Sequence, residues 1–307
     1  ISLNAGIPKE VPAYTVHRNC ASGMEAIAQG VIKIHVGQAR AIMAGGAESM
    51  SNIPLLFPKA YSDFLAQHMK AKSPVSKLAA LTSFRLKFLK PRIALMEGLT
   101  DPFCGLNMGQ TAELLAREWG ISREEQDAFA LRSHELTLKA HDENKYLDEI
   151  TPVYVPPDYK KIITEDIGPR RNQKMEQLQK LRPYFERHYG TITVGNSCQV
   201  TDGAVAALVM KDEVAVRMGY PPLAWIRSFA FSGIEPERMG LAPVIAAKKA
   251  LHDAGIRLSD IELIELNEAF AAQVLDVYKA FNSQAFAKQY LNQDEPLGEI
   301  NPDQVNV

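Results

Sequence analysis

The sequence predicts an α/β protein with two sheet-containing halves and a large inserted region, incomplete at both ends. Three observations carry that prediction. A strand-like run, a helix and a second strand-like run follow one another over residues 13–44. The same alternation returns over residues 222–281. Between them, about residues 52–189 are rich in prolines, polar connections and separate helical segments. The expected organisation is a first half made of 1–57 with 190–219, an insertion over 58–189, and a second half over 220–307.

The elements follow in order. "AYTVHR" (13–18) alternates and is rich in β-formers, so a strand is expected. Over 21–37, Met24, Ile27, Val31 and Ile34 recur on one helical face and Gly37 ends the run. "RAIMA" (40–44) reads as a buried strand, which makes the group a parallel crossover unit. Ser122 followed by Glu125 is a capping box that starts a long helix. Residues 190–219 give two β-rich runs around a polar bend and then a short helix. Residues 222–233 alternate again, 242–255 form an amphipathic helix ended by Gly255, and 260–281 pass from strand to helix near Asn267 and Glu268.

Composition narrows the function classes. The 307 residues are 46% hydrophobic and 23% charged with a formal net charge of −2, a balance that gives no support to nucleic-acid binding as the main activity. No apolar run reaches the roughly 18 residues that a membrane-spanning helix needs. The three cysteines Cys20, Cys104 and Cys198 are odd in number and widely spaced, which suits reduced thiols. No metal-ligand spacing occurs.

The junction "RNCASG" (18–23) is unusual, because cysteine is a mediocre helix starter. A helix N-terminus carries unpaired N–H groups and the positive end of the peptide dipoles, which stabilise a thiolate. Ala21, Ser22 and Gly23 leave room for a carbonyl substrate, and the Cys20 N–H can face a developing oxyanion. Two readings stand at this point: Cys20 as nucleophile for acyl transfer, or Cys20 as a small buried hydrophobe.

"NCASG", "AGGAESMS", "GNSCQVTDGAVAALVM" and "NEAFAAQ", in this order, resemble the thiolases, the acyl-CoA C-acyltransferases. "DPFCGLNMGQTAELLAREWGISREEQDAFALRSH" and "KLRPYFERHYGTITVGNS" extend the resemblance through essentially the whole chain. It implies a layered α-β-α-β-α fold, with Cys20 acylated by 3-ketoacyl-CoA or acetyl-CoA. Asn267 would position a water that binds the thioester oxygen, with Glu268 and Phe270 completing that motif. Arg182 and Ser228 match positions that contact the CoA moiety, while Leu99 and Met108 match the pantetheine and acyl tunnel. Each has a plainer reading: Arg182 as an ion-pair partner, Met108 as core, Ser228 as a backbone partner and Asn267 as a helix cap. Asn107, where biosynthetic members carry histidine, leans toward the degradative β-oxidation type.

The resemblance further implies coenzyme A as a substrate, no metal or redox cofactor, and a homodimer or tetramer. The expected location is cytoplasmic in a bacterium and mitochondrial or peroxisomal in a eukaryote. Residues 59–92 set eight lysines and arginines against Asp63 alone. They resemble the insertion of the thiolase subunit of the trifunctional β-oxidation complex, as does the segment 278–307. That implies a hydratase/dehydrogenase subunit as partner, and a basic amphipathic helix there suits peripheral membrane contact as well as ordinary packing. Asn267 departs from that subgroup, which usually has histidine there.

Two further motifs of the family, Gly-His-Pro and Cys-x-Gly-Gly, do not occur in residues 1–307. His17 does not fit the first; Cys104 and Cys198 do not fit the second and read as structural thiols. The chain is expected to lie within a longer thiolase, and residues 1–307 alone are expected to show little or no thiolysis. The other classes weighed are a catalytically incomplete CoA-binding or assembly subunit and, last, an unrelated cysteine hydrolase.

Overall fold

The computed structural model describes residues 1–307. In chain order the first elements are α1 (Ser22–His35), β1 (Ala41–Ser49), β2 (Leu55–Leu56), α2 (Lys59–Lys70), α3 (Pro74–Leu81) and β3 (Arg92–Ile93). Then come α4 (Ala94–Gly98), α5 (Met108–Trp119), α6 (Arg123–Asp142), β4 (Val153–Tyr154), β5 (Ile162–Ile163) and α7 (Met175–Gln179). The last are β6 (Asp202–Met210), α8 (Asp212–Met218), α9 (Ala242–Ala254), α10 (Ala271–Phe281) and α11 (Gln284–Phe286). They form two compact units, Ile1–Asn52 with Thr201–Phe229, and Ile53–Val200 with Ala230–Val307. No helix is long and apolar enough to cross a membrane.

The first unit is built on an antiparallel pair. β1 runs against β6 from Ala41 opposite Met210 to Ser49 opposite Asp202. α1 packs on β1 through small residues: a side chain on Gly30 would touch Ile42, and one on Gly46 would meet the Gly23 backbone at 3.4 Å. That close approach seats the first turn of α1 on the strand. The parallel crossover expected here is absent, because residues 13–18 have no strand beside them and the strand that pairs with β1 arrives from 202–210 in the opposite direction. β1 is also longer and more open than expected, with Ala44 its one buried position. On α1 the buried positions are Glu25, Ala28, Gly30 and Ile34, while Met24 points outward. No strand forms over 222–233, where the alternating pattern led one to be expected.

The second unit is organised around α10. Val277, Ala280 and Phe281 pack with Leu115 of α5, Leu241, Val244 of α9, Phe286, Leu291 and Val305. Its N-terminal half packs through Ala272 on Ala112, Ala116 and Ile192. A helix enclosed on most sides needs small residues to let neighbours approach, and four alanines in "AAQVLDVYKAF" and the preceding "EAF" meet that need. α6 starts with the expected capping box of Ser122 and Glu125, and α9 ends at Gly255 in the left-handed region.

The basic stretch 59–92 is not one helix. Ser73 caps a new helix with Pro74 at its first position, and this breaks the run into α2 and α3. Phe64, Phe84 and Phe88 turn inward together, with ring centroids 5.5–6.1 Å apart. Leu78, Leu81 and Leu89 are exposed.

Candidate active site

The turn before α1 shows how the chain presents Cys20. Asn19 adopts φ +45°, a left-handed conformation that asparagine tolerates better than most residues, and it turns the chain sharply between Arg18 and the helix. The Ser22 hydroxyl closes the turn by donating to the Asn19 carbonyl (2.7 Å) while accepting from the Arg18 N–H (2.9 Å). Arg18 Nε donates to Glu25 (2.6 Å), and Gln29 donates to the other Glu25 oxygen (2.9 Å). The Gln29 and Arg18 hydrogen bonds hold the Glu25 carboxyl below its usual range. Cys20 is left exposed at the head of the helix and in no disulfide. His17 lies on the same turn and is also exposed, with its Nδ1 accepting a long bond from the Asn19 N–H. Ser228 is partly buried and belongs to the same unit.

The second unit carries Leu99, Met108, Arg182, Asn267 and Phe270. Leu99 and Met108 are brought together by the Met108 N–H donating to the Leu99 carbonyl (3.0 Å). Asn107 caps α5 reciprocally with Gln110, so its side chain is used in starting the helix that presents Met108. Gly109 then lies under the Phe185 ring, so close that any side chain there would overlap it. Phe185 in turn meets Phe270 edge to face, with centroids 5.8 Å apart. Met108 is partly buried. Arg182 is exposed and enters none of the ion pairs, and the segment leading to it is held by Arg123, which donates to the Leu178 and Leu181 carbonyls (2.7 and 3.0 Å).

Asn267 is exposed and makes no hydrogen bond of its own. It does not cap a helix: α10 begins four residues later, at Ala271, with Phe270 at the cap position. The loop it occupies is pinned from both sides. The Cys198 N–H donates to the Ala269 carbonyl (2.9 Å), and the Ala271 N–H donates to the Asn196 carbonyl (3.0 Å). Cys198 is itself exposed, so its backbone rather than a buried thiol makes this tie.

Sequence reasoning missed the polar frame beneath this loop. Glu113, buried on α5, accepts from the Thr191 and Ile192 N–H groups (2.9 and 3.0 Å). A carboxylate thus takes donors that a sheet ladder would have used, and 190–194 is a loop, not the first of two strands. Asp127 accepts from Arg123 (2.8 Å) and from Asn196 Nδ2 (3.0 Å), while the Asn196 carbonyl oxygen of the side chain accepts from the Thr193 N–H (2.8 Å). Glu113 and Asp127 lie in the amphipathic runs of α5 and α6, where charge ordinarily signals a solvent face. Their burial beside a polar loop has no local sequence signal.

In the first unit a sharp turn leaves a cysteine exposed at the head of a helix, and in the second an Asn-Glu-Ala-Phe loop is held by hydrogen bonds on both sides. Residues 1–213 match the model of the thiolase N-terminal domain, and residues 220–307 match that of the thiolase C-terminal domain. The chain belongs to the thiolase family. It is 42% identical over 308 residues to a 3-ketoacyl-CoA thiolase of Pseudoalteromonas translucida (strain TAC 125), covering 100% of this chain and 70% of that relative. Among solved structures, the Bacillus anthracis acetyl-CoA acetyltransferase superposes with a TM-score of 0.81 at 34% identity, covering 99% of this chain and 68% of that one. Human mitochondrial 3-ketoacyl-CoA thiolase in complex with CoA gives a TM-score of 0.78 at 34% identity, covering 97% and 70%. The layered α/β architecture expected from the sequence is that of these neighbours.

Proposed function

We infer that this chain carries the acyl-transfer site of a 3-ketoacyl-CoA thiolase, which cleaves 3-ketoacyl-CoA with CoA to acetyl-CoA and a shortened acyl-CoA in fatty-acid β-oxidation. The observation that carries this reading is the Asn19 turn, which leaves Cys20 exposed at the start of α1. Cys20 Sγ attacks the keto carbon; the bond to the α-carbon breaks and its electron pair leaves as the acetyl-CoA enolate, which takes up a proton. The thiol of CoA then attacks the acyl-Cys20 thioester and releases the sulfur. The enolate carries charge on oxygen, and an amide held ready on that side lowers the barrier by about 3 kcal/mol where one such donor acts. Asn267, exposed and uncommitted, is assigned to that side through a bound water.

Arg182 is assigned to the phosphate or adenine end of CoA, since a guanidinium without a carboxylate partner is available for it. Ser228 is assigned to the CoA moiety, and Leu99, Met108 and Phe270 to the pantetheine and acyl approach. The test is conversion of a 3-ketoacyl-CoA in the presence of CoA by the natural protein, followed by chromatography of the acyl-CoA products. Loss of acetyl-CoA formation in Cys20→Ser is expected; an undiminished rate would refute the assignment.

Residues 59–92 support a peripheral contact with anionic lipid headgroups. Met69, Val75 and Leu86 are about four-fifths exposed among the eight basic side chains. Sedimentation with phosphatidylserine vesicles but not with phosphatidylcholine vesicles is the expected result, and equal or no sedimentation with both would contradict it.

A further inference from the structure

We infer that Asn306 and Ser133 are positioning residues for Asn267, acting through the two residues that flank it; this rests on the reading of Asn267 given above. Asn267 has no hydrogen bond, so its direction is set by its neighbours in the chain. Leu266 on one side is held by the Asn306 side chain twice: its N–H donates to Asn306 Oδ1 (2.8 Å), and its carbonyl accepts from Asn306 Nδ2 (2.8 Å). Glu268 on the other side is held at both oxygens. Oε1 accepts from the same Asn306 Nδ2 (2.7 Å), and Oε2 accepts from the Ser133 hydroxyl (2.5 Å).

These bonds are not needed to dock the two segments. Val305 is fully buried, Ile264 and Val305 form a parallel bridge, and backbone bonds link Ile264 with Gln304 (2.8 Å) and Asn306 (3.0 Å). The docking is complete before the Asn306 side chain is counted. What that side chain adds falls on the residues either side of Asn267. Asn306 reaches them from φ +52°, a conformation that disfavours most other side chains. Bonds to the Glu268 carboxylate are charge-assisted and short, which suits a clamp. His134, beside Ser133 on α6, is coupled to the same carboxylate: burial lowers its pKa and Glu268 opposes that shift.

The test is a double-mutant cycle on the natural protein. Asn306→Gly removes the side chain without straining the backbone and is expected to lower kcat about 10–100-fold, the scale of a misplacement near 1 Å. KM for 3-ketoacyl-CoA should stay within about twofold, because uniform binding is untouched. Ser133→Ala, which removes one of the two anchors on Glu268, is expected to lower kcat about 3–10-fold. In an Asn267→Ala background, Asn306→Gly should cost less than about twofold, because the two act as a unit. Independent, multiplying losses would overturn the inference, as would full kcat in Asn306→Gly beside an impaired Asn267→Ala. An unimpaired Asn267→Ala would instead overturn the role of Asn267 itself. Should Asn306→Gly not fold, Ser133→Ala decides the matter, and an unchanged kcat there overturns the inference.

Discussion

Asp276 sits in the middle of α10 with no exposed surface, and neither of its carboxyl oxygens has a hydrogen-bond partner. Burial raises its pKa from 3.8 to about 8; Lys279 opposes the shift, while Glu118 and Glu125 add to it. The folded chain therefore keeps a proton between about pH 4 and pH 8 that the unfolded chain has lost, so stability falls as pH rises through that window. The slope is about 1.4 kcal/mol per pH step, which at pH 7 accumulates to about 4 kcal/mol relative to pH 4 as an upper bound. Asp276→Asn removes the titration at nearly constant volume. Because the amide also lacks buried partners, the expected gain at pH 7 is about 2–3 kcal/mol. Urea unfolding followed by circular dichroism at pH 5, 7 and 8.5 should give a wild-type stability that drops with pH and a markedly flatter variant. Parallel pH profiles for the two proteins would refute the reasoning.

Two further outcomes follow from the frame around the site. Asn196→Ala leaves the Thr193 N–H without its acceptor and takes a donor from buried Asp127, so urea midpoints should show a loss of about 2–4 kcal/mol. Gly109→Ala drives a methyl into the Phe185 ring and should destabilise by about 1–3 kcal/mol, with Phe185→Leu recovering part of that loss in the double variant.

What the sequence made legible were features with a local cause. The Ser122 capping box and the Gly255 stop both rest on chemistry within a few residues, and both stand in the structure. The small residues after Cys20 have their counterpart in the Gly23–Gly46 approach. The strands were harder to read. Residues 13–18 and 222–233 alternate as strands do, yet a strand is completed by a partner, and the alternation does not say whether one lies beside it. The frame of the Asn-Glu-Ala-Phe loop was illegible for a related reason. Glu113, Asp127, Asn196 and Asn306 are spread over nearly two hundred positions, and each looks like an ordinary surface residue or turn former. Only the fold brings Glu113, Asp127 and Asn196 together around residues 191–196, and Asn306 onto Leu266 and Glu268. The 59–92 stretch shows a third limit, since a smooth amphipathic pattern hid the helix start at Ser73 and Pro74.

The central claim is that Cys20 carries the acyl group. Intact-mass and peptide mass spectrometry of the natural protein after brief incubation with acyl-CoA and rapid acid quench tests it directly. The predicted result is one acyl adduct on the peptide containing Cys20, lost on addition of CoA and absent in Cys20→Ala. An adduct on Cys104 or Cys198, or undiminished acylation in Cys20→Ala, would contradict the account.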